Sequence, residues 1–176
     1  MIRKSSLEEF NDLVAENTPS PGGGTVSIYT ASLATSLLKM TSTYIFKDEN
    51  DLHSELDEIR EELLVLSQQD MEAFPKVLQA YKIDKNSPNR LTEINKALVG
   101  CIEVPFKAIN KINRAIRIAN DIGKNSSAQI VADVSISLEL LKASREAQKI
   151  LIEENLSYIK DEKVVEEVRR KVEGIL

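Results

Sequence analysis

The sequence predicts an all-α protein, an up-and-down bundle of five to six long helices, two of them kinked by an internal proline. Three observations carry this prediction. Ile, Leu, Ala, Lys and Glu dominate the 176 residues, which favours helix. Only six Gly and five Pro are present, too few for many hairpins or long loops. Apolar residues recur at spacings of three and four, and no segment alternates as a strand would. The length fits one domain, residues 1–176, with enough chain to close a core.

Each element follows from a local signal. Ser6-Leu7-Glu8-Glu9 reads as a capping box, so the first helix runs from about Leu7 to Ala15, with Leu7, Phe10, Leu13 and Val14 as its stripe. The run Asn17-Thr18-Pro19-Ser20-Pro21-Gly22-Gly23-Gly24 ends it. The second helix, about Thr25 to Phe46, is apolar or small nearly all round and is expected at the centre. It carries Lys39 and many Ser and Thr, which favours a helix buried in protein over a membrane span. The third, about Leu52 to Tyr81, aligns Leu56, Ile59, Leu63, Leu66, Phe74 and Leu78, and Pro75 lies inside it. Ser87-Pro88 reads as an N-cap and first helical residue. The fourth helix then runs from Pro88 to about Ile122 along Leu91, Ile94, Leu98, Ile109 and Ile112, with Pro105 inside. Gly123 is the expected stop and Lys124 to Ala128 the loop. A fifth helix covers about Gln129 to Ile159, and Asp161 caps a last one, Glu162 to Glu173. Several helices are apolar on more than one face, so a homodimer is expected.

Charge and composition exclude several classes of function. The net charge is −5, no basic run of five exists and Trp is absent, which argues against a nucleic-acid partner. The single cysteine, Cys101, rules out an internal disulfide and fits a reducing, cytoplasmic setting. The N-terminus turns acidic where a secretory signal would be apolar. No membrane association is expected. One His and one Cys cannot build a zinc cluster or a Ser-His-Asp set, and no Glu-x-x-His pair offers a di-iron site, so no metal is expected.

Chemistry must then come from carboxylates, lysines, hydroxyls and backbone dipoles. The turn Pro21-Gly22-Gly23-Gly24-Thr25 comes first. Three glycines permit positive φ and close approach to a ligand, and the following helix offers free N–H groups and a dipole. The spacing to a lysine is wrong for a phosphate-binding Walker loop, and no strand precedes it. A plain flexible turn is the alternative. Asp70 lies four residues after Leu66 and four before Phe74, on the apolar face of the third helix. A carboxylate there is either paired or shifted in pKa so that it can hold a proton. Position alone leaves the catalytic and structural readings even. Asp133 stands in the first turn of the fifth helix, where an acid often only answers the dipole. Glu103 sits beside the Pro105 kink, which exposes a carbonyl and can line a cavity. His53, among Asp51, Ser54 and Glu55, reads as a solvated surface residue, and Cys101 as core.

Ser20-Pro21-Gly22-Gly23-Gly24-Thr25-Val26 resembles the P-x-P-G-G-G-S motif of the formiminotetrahydrofolate cyclodeaminase family, which also includes bacterial methenyltetrahydrofolate cyclohydrolases. The likeness continues in order: Asp70-Met71-Glu72-Ala73-Phe74 resembles D-x-x-A-F, and Glu103-Val104-Pro105-Phe106 resembles E-V-P-L. Gly123 with Asp133 resembles G-N…S-D, and Asn155-Leu156 with Asp161 resembles I-N-L…D. The chain departs from these patterns at Lys124 for Asn, Ala132 for Ser, and Lys39 for a small residue before Met40. The resemblance implies an all-helical, dimeric enzyme of folate one-carbon metabolism that uses no metal or redox cofactor. It would close 5-formiminotetrahydrofolate to 5,10-methenyltetrahydrofolate with release of ammonia. The alternatives are the cyclohydrolase, which adds water to the methenyl form to give 10-formyltetrahydrofolate, and a non-catalytic folate-binding dimer. The chain carries no formiminotransferase domain, which keeps the hydrolase beside the deaminase. Under this resemblance Asp70 and Asp133 lead as acid/base groups, Glu103 is third, and Pro21, Gly22, Gly23, Gly24 and Thr25 bind the folate.

Overall fold

A computed structural model describes residues 5–124 and 131–174. It contains six helices: α1 (Leu7–Ala15), α2 (Gly23–Ile45), α3 (Asn50–Tyr81), α4 (Arg90–Lys124), α5 (Val131–Tyr158) and α6 (Glu162–Glu173). No strand occurs among the described residues. Four helices close a ring, with α2 against α3, α3 against α4, α4 against α5 and α5 against α2. The short α1 and α6 flank this ring. The expected loop Asn125–Ala128, and Gln129 and Ile130 of the expected fifth helix, lie outside the described residues.

The core runs the length of the ring. Its centre joins Ile28 and Ala31 of α2, Ile59 and Leu63 of α3, Ile112 of α4 and Leu141 of α5. One end joins Leu38, Leu56, Ala119, Ile122 and Val134. At the other end α6 lays Val172 against a cluster that includes Ile94, Ile109, Ile152 and Leu156. The small residues of α2 let α3 and α5 approach it closely, but α2 is one wall of the ring rather than its centre, with Leu33, Met40 and Tyr44 exposed. Its buried hydroxyls need partners, and the backbone supplies them. Thr35 donates to the Ala31 carbonyl (2.8 Å), Thr41 to that of Leu38 (2.7 Å), and Ser32 crosses to that of Arg60 on α3 (3.0 Å). No helix among the described residues is long and apolar enough to cross a membrane.

Two caps form as the sequence predicts. Ser6 and Glu9 make the reciprocal capping box, and Asp161 accepts from the first turn of α6. Other boundaries move. Ser87-Pro88 is part of a turn, and α4 begins at Arg90, whose guanidinium donates to the Ile83 and Tyr81 carbonyls at the end of α3. Gly123 does not stop α4, which continues through Lys124, itself paired with Asp121. Neither Pro75 nor Pro105 splits its helix. The α1 stripe stays largely uncovered: Leu7 is 73% exposed, and the inward contact is Phe10 tilted on Tyr29 at 5.1 Å. Phe74 and Leu78 are also exposed. His53 is half-buried rather than solvated, and its Nε2 is buried without a protein partner.

Candidate functional site

The glycine turn and Asp70 meet. Gly22 is the N-cap of α2 and brings no side chain, so the first N–H groups of the helix need another acceptor. Asp70 of α3 supplies it. Thr25 donates its hydroxyl to Asp70 Oδ2 at 2.7 Å, and its backbone N–H also bonds that carboxylate. Asp70 therefore caps a helix other than its own. Burial pushes its pKa above the ordinary value of 3.8, and the two Thr25 bonds oppose that rise without cancelling it.

The reason for glycine differs from the one the sequence offered. No described glycine has positive φ. Gly23 and Gly24 are already helical, and what matters is room. A Cβ on Gly24 would lie 2.5 Å from Asp70 Oδ1 and 2.8 Å from Cγ, so only glycine lets the carboxylate reach the helix end. A Cβ on Gly22 or Gly23 would meet nothing within 4 Å, because both face open space.

That space is a pocket of about 170 Å³ between the glycine turn, α3, α4 and α5. Asp70, Gly22, Gly23 and Gly24 line it together with Cys101, Pro105 and Asn155. Pro21 is buried beneath the turn, after a cis Ser20–Pro21 peptide. Ser20 fastens the turn to α3 by donating to the Met71 carbonyl at 2.8 Å. That carbonyl is free because its ladder partner four residues on is Pro75, which has no N–H. From the other side Gln148 of α5, fully buried, donates to Ser27 Oγ (2.6 Å) and to the Gly24 carbonyl (3.4 Å). The Cys101 thiol is pushed up to about 11 by burial and by the Asp70 charge, so it stays protonated at neutral pH.

The other sequence candidates lie elsewhere. Glu103 lines a groove of about 770 Å³ between α3 and α4 that shares Ala73 with the pocket. Lys76, Lys96 and Lys107 share that groove. Asp133 is not near the turn within this chain. Its neighbour Val134 packs with Leu38, at the opposite end of α2 from Gly24. From Asp133 to Gln148 the α5 axis runs roughly 22 Å at 1.5 Å per residue. Of the three departures from the resembled motifs, Lys39 pairs with Asp57 and Lys124 with Asp121, both away from the pocket. Ser20, Gln148 and Cys101 were not read from the sequence as parts of a site. Gln148 carried a signal: it continues the buried series Val134, Ser137, Leu141 and Ser144 of α5, where a large amide needs partners.

Fold and site define a helical bundle whose pocket is built on one helix N-terminus capped by a carboxylate from the next helix. The family described as Formiminotransferase-cyclodeaminase matches residues 6–174, and the chain belongs to that family. It is similar to a methenyltetrahydrofolate cyclohydrolase of Methylorubrum extorquens, 23% identical over 100% of this chain and 91% of that protein. A formimidoyltransferase-cyclodeaminase of Gallus gallus is 25% identical over 97% of this chain, which spans 34% of that longer protein. The crystal structure of a formiminotetrahydrofolate cyclodeaminase from Thermotoga maritima, at 2.80 Å resolution, superposes with a TM-score of 0.81. Its sequence is 28% identical, over 99% of this chain and 93% of that one.

Proposed function

We propose that the chain acts on the carbon bridging N5 and N10 of a reduced folate, closing 5-formiminotetrahydrofolate to 5,10-methenyltetrahydrofolate with loss of ammonia. The observation that carries this reading is the Asp70 carboxylate. It lines a pocket, its pKa is raised by burial, and Thr25 and the glycine turn hold it in place. The reaction asks for one group that takes and returns a proton near neutral pH. As N10 attacks the amidinium carbon, the N10 proton passes to Asp70. Asp70 returns it to the amino nitrogen of the tetrahedral intermediate, and ammonia departs from the methenyl cation. The carbon stays at the formyl oxidation level, so the step calls for no redox cofactor.

The pocket alone is smaller than the roughly 300 Å³ a ligand of this size usually needs. The adjoining groove with Glu103 and the three lysines takes the rest of the substrate. Of the acids read from the sequence, Asp70 works at the reacting carbon and Glu103 stands along the substrate, while Asp133 would reach the pocket only from a second copy. Water addition to the methenyl form is the second reading. It is favoured by the match along 91% of the Methylorubrum protein, and it uses Asp70 in the same way, as the base that takes a proton from water.

The test is direct. Purified protein is given 5-formiminotetrahydrofolate while ammonia and the methenyl chromophore are followed, and separately methenyltetrahydrofolate while its absorbance decays. Ammonia release that Asp70→Asn abolishes is expected. Accelerated decay alone would establish the hydrolase, and folded protein inert in both assays would overturn the proposal.

A further inference from the structure

Two prolines stand inside helices beside the pocket, and each frees a carbonyl four residues earlier. Pro75 frees that of Met71, and Ser20 binds it at 2.8 Å. Pro105 frees that of Cys101. A helical carbonyl points along the axis toward the residue four positions on, so the Cys101 oxygen is directed at the Pro105 ring. Both residues line the pocket, on the face of α4 opposite Asp70 and the glycine turn. The thiol there remains protonated and offers only a weak donor. Pro105 leaves this turn of α4 with a carbonyl that no N–H four residues on can bond.

We propose that the backbone carbonyl of Cys101, released by Pro105, accepts a hydrogen bond from an N–H of the ligand's heterocycle and so orients that ring against Asp70. The assignment rests on the folate reading above, whose pterin presents ring and amino N–H donors. It adds an orienting contact on α4 to the carboxylate on α3. A carbonyl that pairs with the ligand also selects against rings without an N–H at that edge, because binding them would leave the oxygen unpaired.

Cys101 is the single cysteine of the chain, so cysteine labelled with ¹³C at its carbonyl gives one backbone signal. In the wild-type protein that signal should move downfield on saturation with 5-formyltetrahydrofolate, a stable N5-acyl folate. In Pro105→Ala the restored N–H closes the ladder bond, so the signal should begin downfield and shift little. The same variant should melt at or above the wild-type temperature while its Kd for that folate rises roughly tenfold, the loss of one hydrogen bond. A wild-type signal that stays still while calorimetry records binding would overturn the assignment and leave the folate reading intact. Absence of any folate binding by the wild type would overturn both. Equal affinity in Pro105→Ala would show that the carbonyl makes no contact with the ligand.

Discussion

At the residue scale, Gly24 and Asp70 are one device. Alanine favours a helix by up to about 1 kcal/mol over glycine, yet at position 24 its Cβ would sit 2.5 Å from the carboxylate. Gly24→Ala should displace Asp70, break both Thr25 bonds and lower turnover on the order of 100-fold, the usual scale of a lost acid/base group. Gly23→Ala meets no atom. It should melt at or slightly above the wild-type temperature and raise KM, because its methyl enters the pocket. Steady-state kinetics beside thermal melts separate the two. Asp70 also has a pH signature. Its folded pKa is raised above 3.8, so between 3.8 and that folded value the native state holds more proton than the unfolded one. Stability then falls as pH rises through this window, and the penalty is complete above it. Asn does not titrate, so the melting temperature of Asp70→Asn relative to wild type should climb as pH rises from 3.8 and then level off. A flat difference across that range would contradict the raised pKa. Asp70 was legible in the sequence as an acid on an apolar face. Its partner was not, because which helix end a carboxylate caps is fixed by packing between helices and leaves no local pattern.

At the element scale, helix existence was legible and helix ends were only partly so. Capping at Ser6 and Asp161 is local chemistry within four residues, and it forms as read. At the start of α4, Arg90 reaches back to Tyr81 and Ile83 and stacks over the Tyr81 ring at 5.8 Å; the three residues lie within ten positions, but an arginine bonding the carbonyls at the end of the preceding helix leaves no periodic or capping pattern. Pro75 was legible as a break in the ladder of α3. Its consequence, a carbonyl that holds the glycine turn through Ser20, needed the fold. Ser20→Ala should therefore cost about 1 kcal/mol and raise KM by loosening the turn. Pro75→Ala returns an N–H to the Met71 carbonyl and competes with the same hydroxyl. In a double-mutant cycle the two should couple by at least about 0.5 kcal/mol, so that Ser20→Ala is milder in the Pro75→Ala background. Strict additivity in denaturant melts would show that the Ser20 bond does not depend on the proline.

At the scale of the whole molecule, α2 and α5 run antiparallel, since Gln148 meets Gly24 and Val134 meets Leu38. Both leave apolar side chains exposed: Leu33, Met40 and Tyr44 on α2, Ile136, Leu140 and Ile150 on α5. That doubly apolar character was legible in the sequence, which is the reason a second copy is expected. A twofold axis perpendicular to these helices would cover such a face with itself, and it would turn the Asp133 end of one chain toward the glycine turn of the other. Sedimentation should show a dimer, and Leu33→Glu should shift it toward monomer while the helical circular dichroism is kept. If Asp133 serves the partner's pocket, Asp70→Asn and Asp133→Asn are each inactive alone. A refolded equal mixture then regains about a quarter of wild-type activity, because half the dimers are mixed and each mixed dimer carries one intact site. If Asp133 only answers the dipole of α5, its Asn variant keeps nearly full turnover, and the mixture shows the activity of its Asp133→Asn chains without complementation. An active Asp133→Asn variant removes Asp133 from the chemistry, and rescue in the mixture shows that it reaches the pocket from the partner chain.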